Sequence, residues 1–171
     1  MEQISHVTIP LLSESELREF FVDHLNRIYC AKSHLVRRFP KLAKHASFVD
    51  LKNAILETKQ DVENQISRMG EILMRMGQLH LVSHCKGMIA MLEEAFDAVH
   101  EQKELTSKRD MAILYYMHSI ESVEMASFQI LRMAAVKMKD PQISQLLQEN
   151  YDESKEDRTL ILMITTKYLV N

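Results

Sequence analysis

A chain of 171 residues, 46% apolar and 26% charged, has the size and composition of one globular domain that buries its own core. A formal net charge of −3, with no basic cluster larger than Arg37, Arg38, Lys41 and Lys44, speaks against nucleic acid as a partner. Three glycines and three prolines supply too few turns for a β-rich fold, so long helices with few connections are expected.

Residues 1–12 read as an extended arm ending at Pro10, and residues 13–171 as a single helical domain. Ser13 opens the first helix, because Ser13-Glu14-Ser15-Glu16 has the pattern of a capping box. Its apolar stripe is Leu17, Phe21, Leu25, Ile28, Leu35 and Phe39, and Pro40 is expected to stop or bend it. Ser47-Phe48-Val49-Asp50 is a second helix-start signal. The stripe that follows, from Leu51 through Ile55, Val62, Ile66, Met69 and Leu73 to Met76, has period three to four. Gly77 suits the position just past the helix end. A connection over 78–86 carries His80, His84 and Cys85. A third helix then bears Met88, Met91, Leu92, Ala95 and Val99. A fourth is expected from Arg109 to about Met138, and Asp140-Pro141 separates it from a last helix starting near Gln142. Short connections make neighbouring helices antiparallel.

Two cysteines, Cys30 and Cys85, are too few for a disulfide framework. They are read as small packing residues in a reducing compartment, with a reactive Cys30 thiol as the weaker option. No stretch is apolar enough to span a membrane, and the N-terminus lacks a basic flank and an apolar signal core; a cytoplasmic protein is expected. Many of the twelve methionines lie on or near the stripes and read as core filling. The segment Leu160-Ile161-Leu162-Met163-Ile164 is apolar nearly all round and wants burial on every side, which points to a homodimer.

The informative residues are charges inside the stripes. Lys32 lies between Ile28 and Leu35. Glu121 and Glu124, three apart, share the face of Leu114, Met117, Phe128 and Leu131. Ser154 and Arg158 fall between Tyr151 and Ile161, and Gln60 and Glu63 border the second stripe. A lone buried charge is costly, so charges at mid-bundle positions of several helices suggest one shared cluster. A di-metal carboxylate bundle needs two Glu-x-x-His pairs, and none occurs here. His80 and His84 have the spacing of metal ligands but lack the accompanying glutamate of a metalloprotease helix.

The chain resembles the YciF/YciE family of ferritin-like proteins, described as stress-related and of unknown function. The resemblance lies in Leu17-Arg18-Glu19-Phe20-Phe21 and Ile28-Tyr29-Cys30-Ala31, in Glu63-Asn64-Gln65-Ile66, in Cys85-Lys86-Gly87-Met88, and in Ile120-Glu121-Ser122-Val123-Glu124. It implies a ferritin-like four-helix bundle with an additional helix. Against the family pattern, Cys30-Ala31-Lys32 replaces an acidic pair around alanine, Gln60-x-x-Glu63 replaces a Glu-x-x-His-like pair, and Ser122 stands where histidine is usual. In the last helix Ser154 and Arg158 take acidic positions, with Glu153, Glu156 and Asp157 beside them. The expectation is a non-enzymatic protein with no cofactor, in which Lys32 and Arg158 neutralise Glu63, Glu121 and Glu124 in place of metal. The alternative is an iron or manganese protein or oxidase, with Glu63, Glu121, Glu124 and His118 as ligands.

Overall fold

Among the described residues of the computed structural model five helices follow one another: α1 (Glu14–His45), α2 (Val49–Arg75), α3 (Lys86–Glu101), α4 (Thr106–Met138) and α5 (Pro141–Val170). The structure describes residues 11–79, 85–102 and 106–170, so most of the expected N-terminal arm, with His80 and His84, lies outside the described residues. This is the all-α bundle of four long helices with an additional helix that the sequence predicts.

Two apolar clusters fix the topology. One gathers the C-terminal half of α1 (Leu35, Phe39, Leu42), the first half of α2 (Leu51, Ile55), the start of α4 (Ile113, Met117), the end of α5 (Ile161, Ile164), and Leu92 and Val99 of α3. The other gathers Phe21 and Leu25 of α1, Ile72 and Leu73 of α2, Phe128 and Leu131 of α4, and Ile143 and Leu147 of α5. Hence α2 and α4 start at the same end and run parallel, against α1 and α5. The chain leaves α2 at the far end and returns through the connection that holds α3. Around the bundle α1 packs on α2, α2 on α5, α5 on α4 and α4 on α1, while α3 lies outside against α1 and α4.

The helix ends follow local chemistry. Ser13 Oγ accepts the Glu16 N–H at 3.3 Å and Glu16 Oε2 accepts the Ser13 N–H at 2.8 Å, the predicted capping box. Gly77, at φ +67°, closes α2: its N–H reaches the Met74 carbonyl and that of Gln78 the Leu73 carbonyl, both at 2.9 Å. Asp140 caps α5, its Oδ1 accepting from Gln142 and Ile143 at 3.0 and 3.1 Å. Pro40 does not end α1, which continues to His45. Pro40 is exposed, so its ring lies on the solvent face of the helix.

The start of α2 differs from the sequence expectation. Phe48 is the capping residue and offers no side-chain bond. The cap comes from α4: Asp110 Oδ2 accepts the N–H groups of Ser47 at 2.7 Å and Phe48 at 2.6 Å, from a side chain wholly buried. The residues at 160–164 are covered on one side only. Ile161 and Ile164 are buried, while Leu162 and Met163 stay exposed.

Replacing Asp110 by alanine removes both acceptors and should lower stability by about 2–3 kcal/mol in urea denaturation. An unchanged midpoint would show that α2 needs no cap from α4.

Candidate functional site

Between the two apolar clusters lies a layer of buried polar side chains, one set from each long helix. Each takes an inward position of its helix repeat, three or four residues from buried apolar neighbours. On α1 it is Lys32, between Ile28 and Leu35. On α2 it is Thr58 and Gln65, flanking Val62. On α4 it is Glu121 and Glu124, between Met117 and Phe128, and on α5 it is Asn150, Ser154 and Asp157, between Leu147 and Ile161. All of them are at most 3% exposed.

The centre of the layer is an ion pair from Lys32 Nζ to Glu124 Oε2. The Lys32 ammonium also sits 5.5 Å from the centre of the Phe128 ring, whose face attracts cations. Glu121, one turn before Glu124, leaves its Oε2 buried without a hydrogen-bond partner. Burial, and then the charge of Glu124, push the Glu121 carboxyl well above the usual carboxylate range. Thr58 Oγ1 donates to Asp157 Oδ1 at 2.9 Å, while Asp157 Oδ2 has no partner. Burial lifts Asp157 to about 7; the Thr58 hydrogen bond opposes the rise and the charge of Asp61 adds to it. Below that pH Asp157 is a neutral acid beside the Lys32–Glu124 ion pair. Gln65 Nε2 to Ser154 Oγ, at 3.5 Å, extends the polar contacts between α2 and α5.

The structure thus brings Lys32, Glu121 and Glu124 together and leaves other predicted members outside. Glu63, one residue past the buried Val62, is rotated to the surface and takes a salt bridge from Lys59 at 2.6 Å. Arg158, one residue past Asp157, is half-buried beside the layer and donates from Nε to Ser122 Oγ at 2.9 Å. A helix turns roughly 100° per residue, which is enough to move a neighbour off the inward face. His118 is half-buried, and its carbonyl accepts from Ser122 Oγ at 2.7 Å. Among the described residues no three His, Cys, Asp or Glu side chains converge as metal ligands would. The donor set of the ferritin-type metals is therefore not assembled by these residues, and Glu124 is already taken up by an ammonium group.

Sequence reading missed Thr58, Gln65 and Asn150 in the layer, and placed Asp157 only beside it. Their signal is uncharged or acidic side chains at inward positions of otherwise apolar stripes, the criterion that singled out Lys32. Two links of α3 were also not foreseen. Cys30 and Cys85 form a disulfide, with Sγ–Sγ 1.97 Å and Cα–Cα 6.1 Å, both residues buried. This overturns the reading of two unpaired packing cysteines, and with it the reactive Cys30 thiol and the cysteine argument for a reducing compartment. The separation of 55 positions between them hid that the start of α3 returns to the middle of α1. Further along, Glu93 of α3 meets His34 Nε2 at 2.5 Å and the Arg38 guanidinium. The His34 hydrogen bond, followed by the charge of Arg38, holds the Glu93 carboxyl below its usual range.

A crossover helical bundle with a lysine-neutralised polar layer is the class of protein defined by these features. The family described as "Domain of unknown function (DUF892)" matches residues 16–168, and the chain belongs to it. The curated protein YciF of Escherichia coli (strain K12) is 26% identical over 140 residues, spanning 81% of this chain and 84% of YciF. The crystal structure of the E. coli stress protein YciF superposes with TM-score 0.84 at 24% identity, covering 91% of this chain and 98% of that one. YcfI of Rhodopseudomonas palustris superposes with TM-score 0.81 at 21% identity, over 89% and 98% of the two chains. The expected YciF-like membership therefore stands. Among the described residues no helix is long and apolar enough to cross a membrane.

Two measurements test the layer. Lys32→Ala leaves Glu124 buried without its counter-charge and should cost about 3–5 kcal/mol of unfolding free energy; an undiminished melting temperature would contradict the pairing. For Asp157 the folded-state value lies above the unfolded one, so the folded chain holds a proton that the unfolded chain has released between the usual 3.8 and about 7. Stability therefore falls as pH rises through that window. Asp157→Asn removes this slope and should be more stable than the parent at pH ~8 by about 2–4 kcal/mol, with the gain vanishing towards pH ~4. Parallel melting curves across pH would refute the buried acid.

Proposed function

We propose that this chain is a non-enzymatic, ferritin-like member of its family, in which Lys32 has taken the part that metal ions play in di-metal bundles. The single observation that carries this is the wholly buried Lys32 ammonium on Glu124, beside Glu121, at mid-bundle height. In ferritin-like di-metal sites the bridging glutamates are neutralised by two metals, each also held by a histidine one turn along. Here a fixed side-chain cation supplies the counter-charge, and the position one turn after Glu121 holds Glu124 rather than a histidine. The crossover through α3, which leaves α2 and α4 parallel, is the connection that ferritin-like bundles use. Such a layer supplies structural specificity rather than redox chemistry, and the role of the chain is then an interaction role. The description of E. coli YciF as a stress protein supports placing that role in a stress response.

The competing assignment is an iron- or manganese-binding oxidase using Glu63, Glu121, Glu124 and His118. Elemental analysis after incubation with Fe(II) and Mn(II) separates the two. The native protein should remain without stoichiometric metal, whereas Lys32→Glu, which restores a carboxylate, should gain it. Near-stoichiometric metal in the native protein would overturn the proposal.

A further inference from the structure

The groove between α2 and α5 carries acidic residues along its length, and the ion pairs that cross it lie at its ends. At one end Arg68 of α2 bridges Glu149 at 3.0 Å and Glu153 at 2.6 Å. At the other, Lys167 of α5 pairs with Asp50 of α2. Between these lies an open groove of about 500 Å³, lined by Glu57 and Asp61 from α2 and by Glu156 and Asp157 from α5, over Leu160 and Met163. Lys155 is the one basic side chain among its described lining residues, and no ion pair among the described residues reaches Glu57, Asp61 or Glu156. Asp157 gives this acidic run its depth. It is 3% exposed, lines the groove, and its Oδ2 has no hydrogen-bond partner. Partial burial, and then the charges of Glu153 and Glu57, push the Asp61 carboxyl above its usual range; Arg68 opposes the rise and Glu156 adds to it, so these groups lie within each other's field.

We propose that this groove binds a small organic polycation of the aliphatic polyamine class, whose ammonium groups do in the middle what Arg68 and Lys167 do at the ends. The carboxylates are strung along the groove rather than converging on a point, and no metal-holding group of three is present among the described residues. Glu57 and Asp61 are one helical turn apart, an axial step of about 6 Å that a short methylene run between two ammonium groups spans. Leu160 and Met163 offer those methylenes an apolar floor. The proposal does not depend on how the Lys32 layer arose: Asp157 is shared with that layer, but Glu57, Asp61 and Glu156 lie outside it.

The test is calorimetric titration of the full chain with spermidine at low ionic strength. Glu57→Gln/Asp61→Asn is compared with Glu19→Gln/Glu101→Gln, an equal charge change at exposed positions on α1 and α3. Saturable binding is expected, weakened at least tenfold by the groove variant and less than twofold by the control. Thermal melting verifies that both variants fold. Equal weakening by both variants would reduce the effect to diffuse charge attraction. Absence of saturable binding, or displacement of spermidine by an equal concentration of Mg²⁺, would also overturn the proposal.

Discussion

A lysine with no access to water is held in this bundle because Glu124 faces its ammonium group and Phe128 lies under it. Removing two charges from water costs several kcal/mol per ion, roughly, and their mutual attraction returns this only in a well-fixed geometry. That requirement sets the register of α1 against α4, since sliding either helix by one turn would strand both charges in apolar surroundings. Glu121 and Asp157 adapt to the same condition in another way. Burial first, and the charges of neighbouring carboxylates after it, raise both carboxyls, Asp157 to about 7.

The polar layer also divides the core. Apolar clusters above and below it could pack in several registers, since leucine and isoleucine make few directional demands. Hydrogen bonds from Thr58 to Asp157 and from Gln65 to Ser154, with the Lys32–Glu124 pair, fix which turn of each helix meets which. Asp157 connects this interior with the surface: one oxygen belongs to the layer, and its side chain lines the acidic groove between α2 and α5.

The additional helix α3 is attached differently from the other four. Among the described residues it packs mainly on α1 and α4, and it contributes few residues to the core: Leu92, Ala95 and Val99 are its buried ones. Its position is secured instead by point links to α1, the Cys30–Cys85 disulfide at its start and the His34–Glu93–Arg38 contacts in its middle. A disulfide that closes a 55-residue interval restricts the unfolded chain more than a short loop would. It gives the crossover a fixed point that its small apolar face does not provide.

The sequence by itself determined the helices, their approximate limits and the places of Lys32, Glu121 and Glu124 within the apolar stripes, because these are consequences of local periodicity, capping and turn chemistry; that Lys32 points inward it left open. It also carried the family, through the order of weak matches along the chain. Only the tertiary structure decided which polar residues meet. Glu63 and Arg158 sit one residue beyond the inward positions of Val62 and Asp157, and one residue on a helix is enough to exchange core for surface. The cap of α2 by Asp110, more than sixty positions away, and the pairing of Cys30 with Cys85 were equally invisible, since neither leaves a local pattern. Periodicity says which face of a helix is buried; which side chains of other helices lie opposite it is settled by how the helices are connected and at what height they pack.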